Sequence, residues 1–239
     1  MRARQKELAK WDEEAGANGR LRRACDEQAK VPSEDSMKYL ITLIGAIFFF
    51  CRLDHVKFSW QPGLRSRKGP YGKTISRWID GMWEKEVEIV MDPNDWHEEK
   101  RVRDHFSALM GTLLHECAHA FLDSFSCDGY CEADACRVSR TRVEGGSGHG
   151  SAWFRVVTYV EACANANMYG QWKLGLENGM WSEVWKEERV IGEEDIRLCH
   201  PRYQQYLRYK GREVIREWRS EMRVSRRVSR RVGRRVSRR

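Results

Sequence analysis

The feature that most constrains the fold is a pair of histidines four residues apart within a long amphipathic segment. The segment LLHECAHAFL contains His115, Glu116 and His119. Apolar residues recur through this region at helical spacing, at Val102, Phe106, Leu109, Met110, Leu113, Leu114, Cys117 and Phe121. Residues i and i+4 lie one above the other on the same helix face. The chain is therefore predicted to fold around a long, packed helix that presents two imidazoles in one direction.

This arrangement predicts a zinc site. The imidazoles of His115 and His119 can both reach one Zn²⁺ at about 2.0 to 2.1 Å. Glu116 follows the first histidine directly, and in an HExxH helix this position lies beside the water that the metal binds. Glu116 is therefore the expected catalytic residue, acting as general base and then as general acid.

Two residues further along the chain are candidates for the third protein ligand that a catalytic zinc requires. His149 lies in GGSGHGSAW, between glycines that permit tight backbone turns and just before an apolar helix. Glu161 lies within that following helix. His149 is favoured, because a glycine-flanked histidine ahead of a helix can turn toward a neighbouring helix. Glu161 remains the alternative.

Upstream of this motif the sequence predicts an apolar helix and then a small sheet. The run from Tyr39 to Cys51, YLITLIGAIFFFC, is too short to cross a hydrocarbon layer of about 30 Å and predicts a buried core helix. Three short stretches, VKFSW, GKTISRWI and EVEIVMDP, have the alternation or the flanking turn residues of strands. A second helix is predicted to start near Ser151. The predicted fold class is α+β, with a small β-sheet packed on the HExxH helix and a following helix.

A family resemblance rests on these same residues. LLHECAHAFL followed by GGSGHGSAWFRVV resembles the SprT-like, or Spartan-type, metalloprotease domain, as does the upstream order of an FFF helix, a VKFSW strand and a VEIVMDP strand. The resemblance covers about residues 36–172. It implies a zincin-like fold and a zinc metalloendopeptidase acting on protein substrates, with His115, His119 and His149 as ligands and Glu116 as the catalytic residue. For Spartan-type members it also implies cleavage of proteins crosslinked to DNA.

Composition divides the chain into four segments. They are a polar N-terminal extension (1–35), the SprT-like domain (36–172), a helical C-terminal extension (173–222) and an Arg-rich low-complexity tail (223–239). The N-terminal extension is expected to be loosely attached. The tail holds nine of the 43 basic residues and no acid, so the other segments carry 34 basic and 35 acidic residues. We expect this tail to be disordered and to bind phosphates non-specifically, including those of DNA.

Two further hypotheses remain open. The chain can be a non-catalytic nucleic-acid-binding module, with a structural zinc and a basic tail that does the binding. A second structural zinc can lie on Cys127, Cys131 and Cys136, with Cys163 or an acidic side chain as the fourth ligand. The N-terminus is charged and lacks the apolar stretch of a secretory signal. No transmembrane segment is predicted, and the expected location is intracellular. The Arg-rich tail makes the nucleus the expected compartment.

Overall fold

Helices dominate the described part of the chain, and three strands form one small sheet. The described residues of this computed structural model are 2–16, 19–28, 31–64, 70–79, 85–94, 105–126, 133–145, 147–168, 172–187 and 191–236. The elements, in chain order, are α1 (Arg2–Ala15), α2 (Arg20–Gln28), α3 (Glu34–Phe48), β1 (Lys57–Trp60), β2 (Gly72–Trp78), β3 (Lys85–Met91), α4 (His105–Phe125), α5 (Asp134–Glu144), α6 (Ser151–Asn167), α7 (Leu176–Glu187), α8 (Glu193–Leu198) and α9 (Pro201–Val236). The mixed α+β class predicted from the sequence is confirmed.

α3 is the apolar helix that the sequence predicts, but it ends at Phe48, and Phe50 and Cys51 of the predicted buried run are exposed beyond its end. Ser33 caps its N-terminus, where the Ser33 Oγ accepts a hydrogen bond from the Ser36 backbone N–H at 3.2 Å. Glu34 and Asp35 in the first turn suit the positive end of the helix dipole. Large aliphatic side chains at helical spacing face the core, at Leu40, Ile41, Leu43, Ile44 and Ile47. The helix packs against both β1 and α4.

The sheet brings a strand alongside the HExxH helix. β3 is central, with β1 parallel on one side and β2 antiparallel on the other. Ile89 of β3 pairs with Phe58 of β1 and with Thr74 of β2. Val87, Ile89 and Met91 alternate along β3 and are fully buried. All three predicted strands are confirmed, and the alternation along β3 is already visible in the sequence. β2 and β3 pack on α4.

α4 passes through the centre of the core. Its buried face matches the predicted apolar positions and includes Phe106, Leu109, Met110, Leu113, Leu114 and Cys117. Val102, predicted to belong to the same face, lies outside the described residues. A Cβ on Gly111 would lie 2.9 Å from the carbonyl oxygen of Lys173. The glycine therefore lets the segment before α7 cross the helix closely.

The N-terminal helices are packed into the core, and the expectation of loose attachment is wrong. Trp11 of α1 is fully buried and meets Trp172 edge to face, with ring centroids 6.3 Å apart. Arg22 of α2 is 5% exposed, and its guanidinium lies 4.8 Å from the centre of the Phe106 ring. A short helix needs only a few apolar residues to bury one face, so the charged composition of this segment conceals its packing.

α9 continues through the basic tail as far as Val236. Its first part packs through Leu207 and Val214, which are each no more than 1% exposed. Once a helix is nucleated, each further residue adds a hydrogen bond at low cost. Residues 223–236 are therefore helical where the sequence predicted disorder.

Within the described chain, no helix combines the length and the apolar character that crossing a membrane requires.

Candidate metal centre

Three imidazoles from two parts of the chain converge on one point. His115 and His119 project from α4, one turn apart, and His149 lies just before α6. The Nε2 atom of His115 lies 3.1 Å from His119 Nε2 and 3.2 Å from His149 Nε2. One ligand atom from each histidine lies within 4.8 Å of the other two, and no other such group occurs among the described residues. The structure thus brings together the three histidines predicted from the sequence.

These distances fit a shared metal ion. Zinc bound tetrahedrally to nitrogen at about 2.0 to 2.1 Å separates neighbouring nitrogens by about 3.3 to 3.4 Å. The two separations of 3.1 and 3.2 Å are slightly shorter than this tetrahedral edge. Small movements of the imidazoles reach it, so the cluster can hold a metal ion.

His115 is held in the tautomer that metal binding needs. Its Nδ1 donates a hydrogen bond to the Leu174 carbonyl oxygen at 2.8 Å. A carbonyl oxygen only accepts, so Nδ1 bears the proton and Nε2 presents a lone pair to the cluster. Such contacts also fix the orientation of a ligating ring.

The segment that supplies this carbonyl is fastened to α6. Glu161 accepts a hydrogen bond from the Leu174 backbone N–H at 2.7 Å. Asn165, one turn later, accepts from the Trp172 N–H at 2.8 Å and donates to the Trp172 carbonyl at 3.0 Å. Glu161, the alternative third ligand, does not join the histidine cluster. It instead supports the backbone that orients the first histidine.

His149 is held through a serine. The Ser147 Oγ lies 3.0 Å from His149 Nδ1 and 2.5 Å from Oε1 of Glu183 in α7. Glu183 also accepts from the Ser147 N–H at 2.8 Å and from the His149 N–H at 3.3 Å. Gly145 and Gly148 adopt φ values of 53° and 87°, which favour glycine. The tight turn predicted around His149 is therefore present.

Trp153 forms a floor beneath the cluster. This fully buried indole contacts all three imidazoles, with ring centroids 4.5 to 5.6 Å away. Burial lowers the pKa of His119 well below its ordinary value, and the two neighbouring histidines lower it further. The site thus favours a neutral imidazole, which keeps the lone pair that a metal needs.

Glu116 reaches from α4 to the edge of the sheet. Its Oε2 accepts a hydrogen bond from the Thr74 Oγ1 at 2.9 Å, and the same hydroxyl lies 3.0 Å from the Glu116 carbonyl oxygen. Glu116 is 5% exposed. Burial raises its pKa, while the neighbouring His115 and the hydrogen bond from Thr74 lower it in part. Such a carboxylate holds a proton more readily than an exposed one.

The cysteine hypothesis is only partly covered by the described chain. Cys127 and Cys131 lie outside the described residues, whereas Cys136 and Cys163 are half-buried. Cys117 is fully buried, and burial raises the pKa of its thiol well above the ordinary value, which makes it a core side chain. No cysteine joins the metal-ligand group among the described residues. A second zinc stays a prediction.

Sequence reasoning missed the outer partners of the site. Thr74 is 42 residues from Glu116, and Glu183 is 34 residues from His149, so spacing along the chain gives no signal for either contact. Leu174 acts through its backbone carbonyl, which any residue would supply. A local signal was available only for a serine two residues before His149, which short loops often use for hydrogen bonds.

The arrangement offers a metal ion three ligands and an acidic neighbour. It contains three imidazole donors and a buried carboxylate on the ligand-bearing helix, and no fourth protein ligand joins the cluster among the described residues. A position left open on the metal can hold water or a substrate oxygen.

Comparison with models of known protein families gives no match, and comparisons with curated proteins and with solved structures give none either.

Proposed function

We propose that the chain is a zinc-dependent metalloendopeptidase of the SprT-like type with a zincin-like fold. The observation that carries this proposal is that the ring nitrogens of His115, His119 and His149 meet beside the helix that also bears the buried Glu116. Two ligands and the carboxylate lie on one helix, so helix geometry fixes their spacing. Zinc suits this donor set, because it binds neutral imidazoles readily and accepts tetrahedral geometry.

Glu116 is the residue that moves the proton. When bound, zinc lowers the pKa of a water toward about 7 and polarises a carbonyl oxygen. The Glu116 carboxylate takes the proton from the attacking water and passes it to the leaving amine nitrogen, as general base and then general acid. Thr74 holds Oε2 of this carboxylate at 2.9 Å, which leaves Oε1 for the transfer.

Three protein ligands support catalysis over a purely structural metal. Structural zinc sites are normally closed by four protein ligands, whereas catalytic sites keep one position open. Among the described residues, the cluster contains three histidines and no fourth ligand. This favours a hydrolase over a nucleic-acid-binding module in which zinc only stabilises the fold.

The sheet edge beside Glu116 suits a peptide substrate. β2 pairs only with β3 among the described strands, and Thr74 of β2 contacts Glu116. An extended peptide that pairs with the free edge of β2 would gain main-chain hydrogen bonds. Such pairing would bring a peptide bond toward the carboxylate. The substrates are then protein chains, and DNA-associated proteins are the subset that the basic tail would favour.

Zinc content and casein cleavage, measured on the same preparations, test the proposal. Wild type is expected to hold about one zinc per chain and to cleave casein. Glu116→Gln is expected to keep zinc and to lose turnover by about 100-fold or more. His149→Ala is expected to lose both properties. His55→Ala removes an exposed histidine outside the cluster and is the matched control.

The outcomes separate the two candidate functions. Stimulation of cleavage by single-stranded DNA would support DNA-associated substrates, whereas cleavage that ignores DNA would restrict the proposal to a general endopeptidase. A metal-free wild type, or Glu116→Gln with wild-type turnover, would overturn the proposed reaction. The nucleic-acid-binding module would then be the function to pursue.

A further inference from the structure

The third histidine is held by α7, a helix that follows the HExxH helix by some fifty residues of chain. A Cβ on Gly179 would lie 3.0 Å from the Trp153 ring and 3.3 Å from His149 Cδ2. α7 therefore packs directly on both rings, and any larger residue at this position would press against them. Glu183 lies one turn further along the same face and is 6% exposed.

The loop that carries His149 wraps around the Glu183 carboxylate. Oε1 of Glu183 accepts from the Ser147 N–H, the Ser147 hydroxyl and the His149 N–H, at 2.8, 2.5 and 3.3 Å. A Cβ on Gly145 would lie 2.5 Å from Oε2 of the same carboxylate. Glycine at this position allows the close approach. One buried acidic group thus gathers donors from two residues of the ligand loop.

The direction of these hydrogen bonds decides which nitrogen of His149 faces the metal. A carboxylate has only acceptors, so the single hydroxyl proton of Ser147 points to Glu183. The Ser147 oxygen is then the acceptor for Nδ1 of His149, 3.0 Å away. Nδ1 must carry the ring proton, which leaves a lone pair on Nε2 for the metal.

We propose that Glu183 is a positioning residue for the metal centre, acting through the Ser147 hydroxyl to set the tautomer and orientation of His149. The inference rests on the metal site of the proposed function and is independent of its hydrolytic step. Glu183 performs for His149 the task that the Leu174 carbonyl performs for His115. Outer partners of this kind contribute substantially to metal affinity in other zinc sites.

The test is a double-mutant cycle on the full-length chain, with Zn²⁺ as the probe and a chromophoric chelator as competitor. Glu183→Gln and Ser147→Ala are each expected to weaken Zn²⁺ binding by about 10-fold to 100-fold. The double variant is expected to bind about as weakly as the weaker single variant, because both substitutions break the same chain of hydrogen bonds. Glu177→Gln, an exposed change on the same helix, should stay within about a factor of two of wild type.

A second readout does not need metal. In the metal-free protein, ¹⁵N NMR of the His149 ring is expected to show the proton on Nδ1 in wild type and a shift toward the Nε2-protonated tautomer in Ser147→Ala. Ser147 is a half-buried loop residue, so this variant carries the test if Glu183→Gln fails to fold. If Glu183 had a merely structural role, the His149 tautomer of a folded Glu183→Gln protein would be the same as in wild type.

Two results would overturn the inference. One is wild-type Zn²⁺ affinity in a folded Glu183→Gln protein. The other is a double variant whose loss of Zn²⁺-binding free energy equals the sum of the losses in the two single variants, because the free energies of independent effects add. Failure of the proposed function looks different: zinc binding that depends on Glu183, without any peptide cleavage, would keep this inference and reject the protease.

Discussion

Two buried glutamates near the metal centre show how partners give one residue type different roles. Glu116 meets a hydroxyl at the sheet edge, whereas Glu161 accepts the Leu174 N–H at 2.7 Å. Burial is the largest cause of a raised pKa at both. Glu161 is 8% exposed and lies outside the histidine cluster, so its ionisation can be tested as a stability effect without the metal.

We expect Glu161 to make stability depend on pH. Because burial raises its folded-state pKa above 4.5, the folded chain binds the proton more tightly than the unfolded chain does. The stability that this provides is complete below the unfolded pKa and is lost as the pH rises through the folded pKa. The free energy of unfolding of wild type, minus that of Glu161→Gln, should therefore fall as the pH rises above 4.5.

Urea unfolding of the metal-free proteins from about pH 4 to about pH 7 measures this difference. Glu194→Gln, at an exposed glutamate, is the matched control for the substitution itself. A difference that stays constant with pH, or that rises, would contradict the expected direction.

The sequence predicted the three histidines of the candidate metal centre but not what holds them. His115 and His119 follow from helix periodicity, and His149 follows from its flanking glycines, because these signals are local. Ser147 and Glu183 meet only after α7 has packed on the loop. No local pattern encodes that contact, so the outer part of the site required the fold.

Among the elements, α1 is the one whose role was least visible in the sequence. Trp11 is its largest fully buried side chain, and it contacts Trp172 at the start of the segment that holds His115. Trp11→Ala is expected to lower the free energy of unfolding by about 3 to 5 kcal/mol, because it leaves a cavity in the core. Chemical denaturation of the full-length chain measures this loss.

Asp12→Ala, at the exposed neighbour of Trp11, is the matched control and should change stability by no more than about 0.5 kcal/mol. Equal stability for Trp11→Ala and wild type would show that α1 is not part of the core. The strands, in contrast, were predicted correctly, since Val87, Ile89 and Met91 alternate in the sequence as they do in the sheet. α1 has no comparable pattern, because one tryptophan supplies much of its buried surface.

Across the whole molecule, the candidate metal centre is assembled from distant parts of the chain. Its contacts come from β2, α4, the loop before α6, the segment before α7, and α7 itself. Residues 174, 179 and 183 belong to the predicted C-terminal extension, so part of that extension helps to build the site. The basic tail contains no histidine, cysteine or acidic residue, so none of its side chains is a usual metal ligand.

This separation predicts that removing residues 223–239 changes binding to nucleic acid and leaves the metal centre intact. The deletion takes away nine arginines, so the net charge falls from +8 to −1 (8 − 9). Zn²⁺ affinity and the free energy of unfolding should stay at wild-type values, since the deletion keeps Leu207 and Val214, the described side chains that α9 buries in the core. Affinity for a single-stranded oligonucleotide, measured by fluorescence anisotropy, should drop sharply.

The salt dependence shows whether the tail acts through charge. Each phosphate neutralised on single-stranded DNA contributes about 0.7 to the slope of log affinity against log salt concentration, so nine arginines limit the tail's contribution to about 6. A steep slope for the full chain that becomes shallow after deletion would place the binding in the tail. Unchanged oligonucleotide affinity after deletion would instead place the binding site in residues 1–222. Their net charge of −1 makes that outcome unexpected.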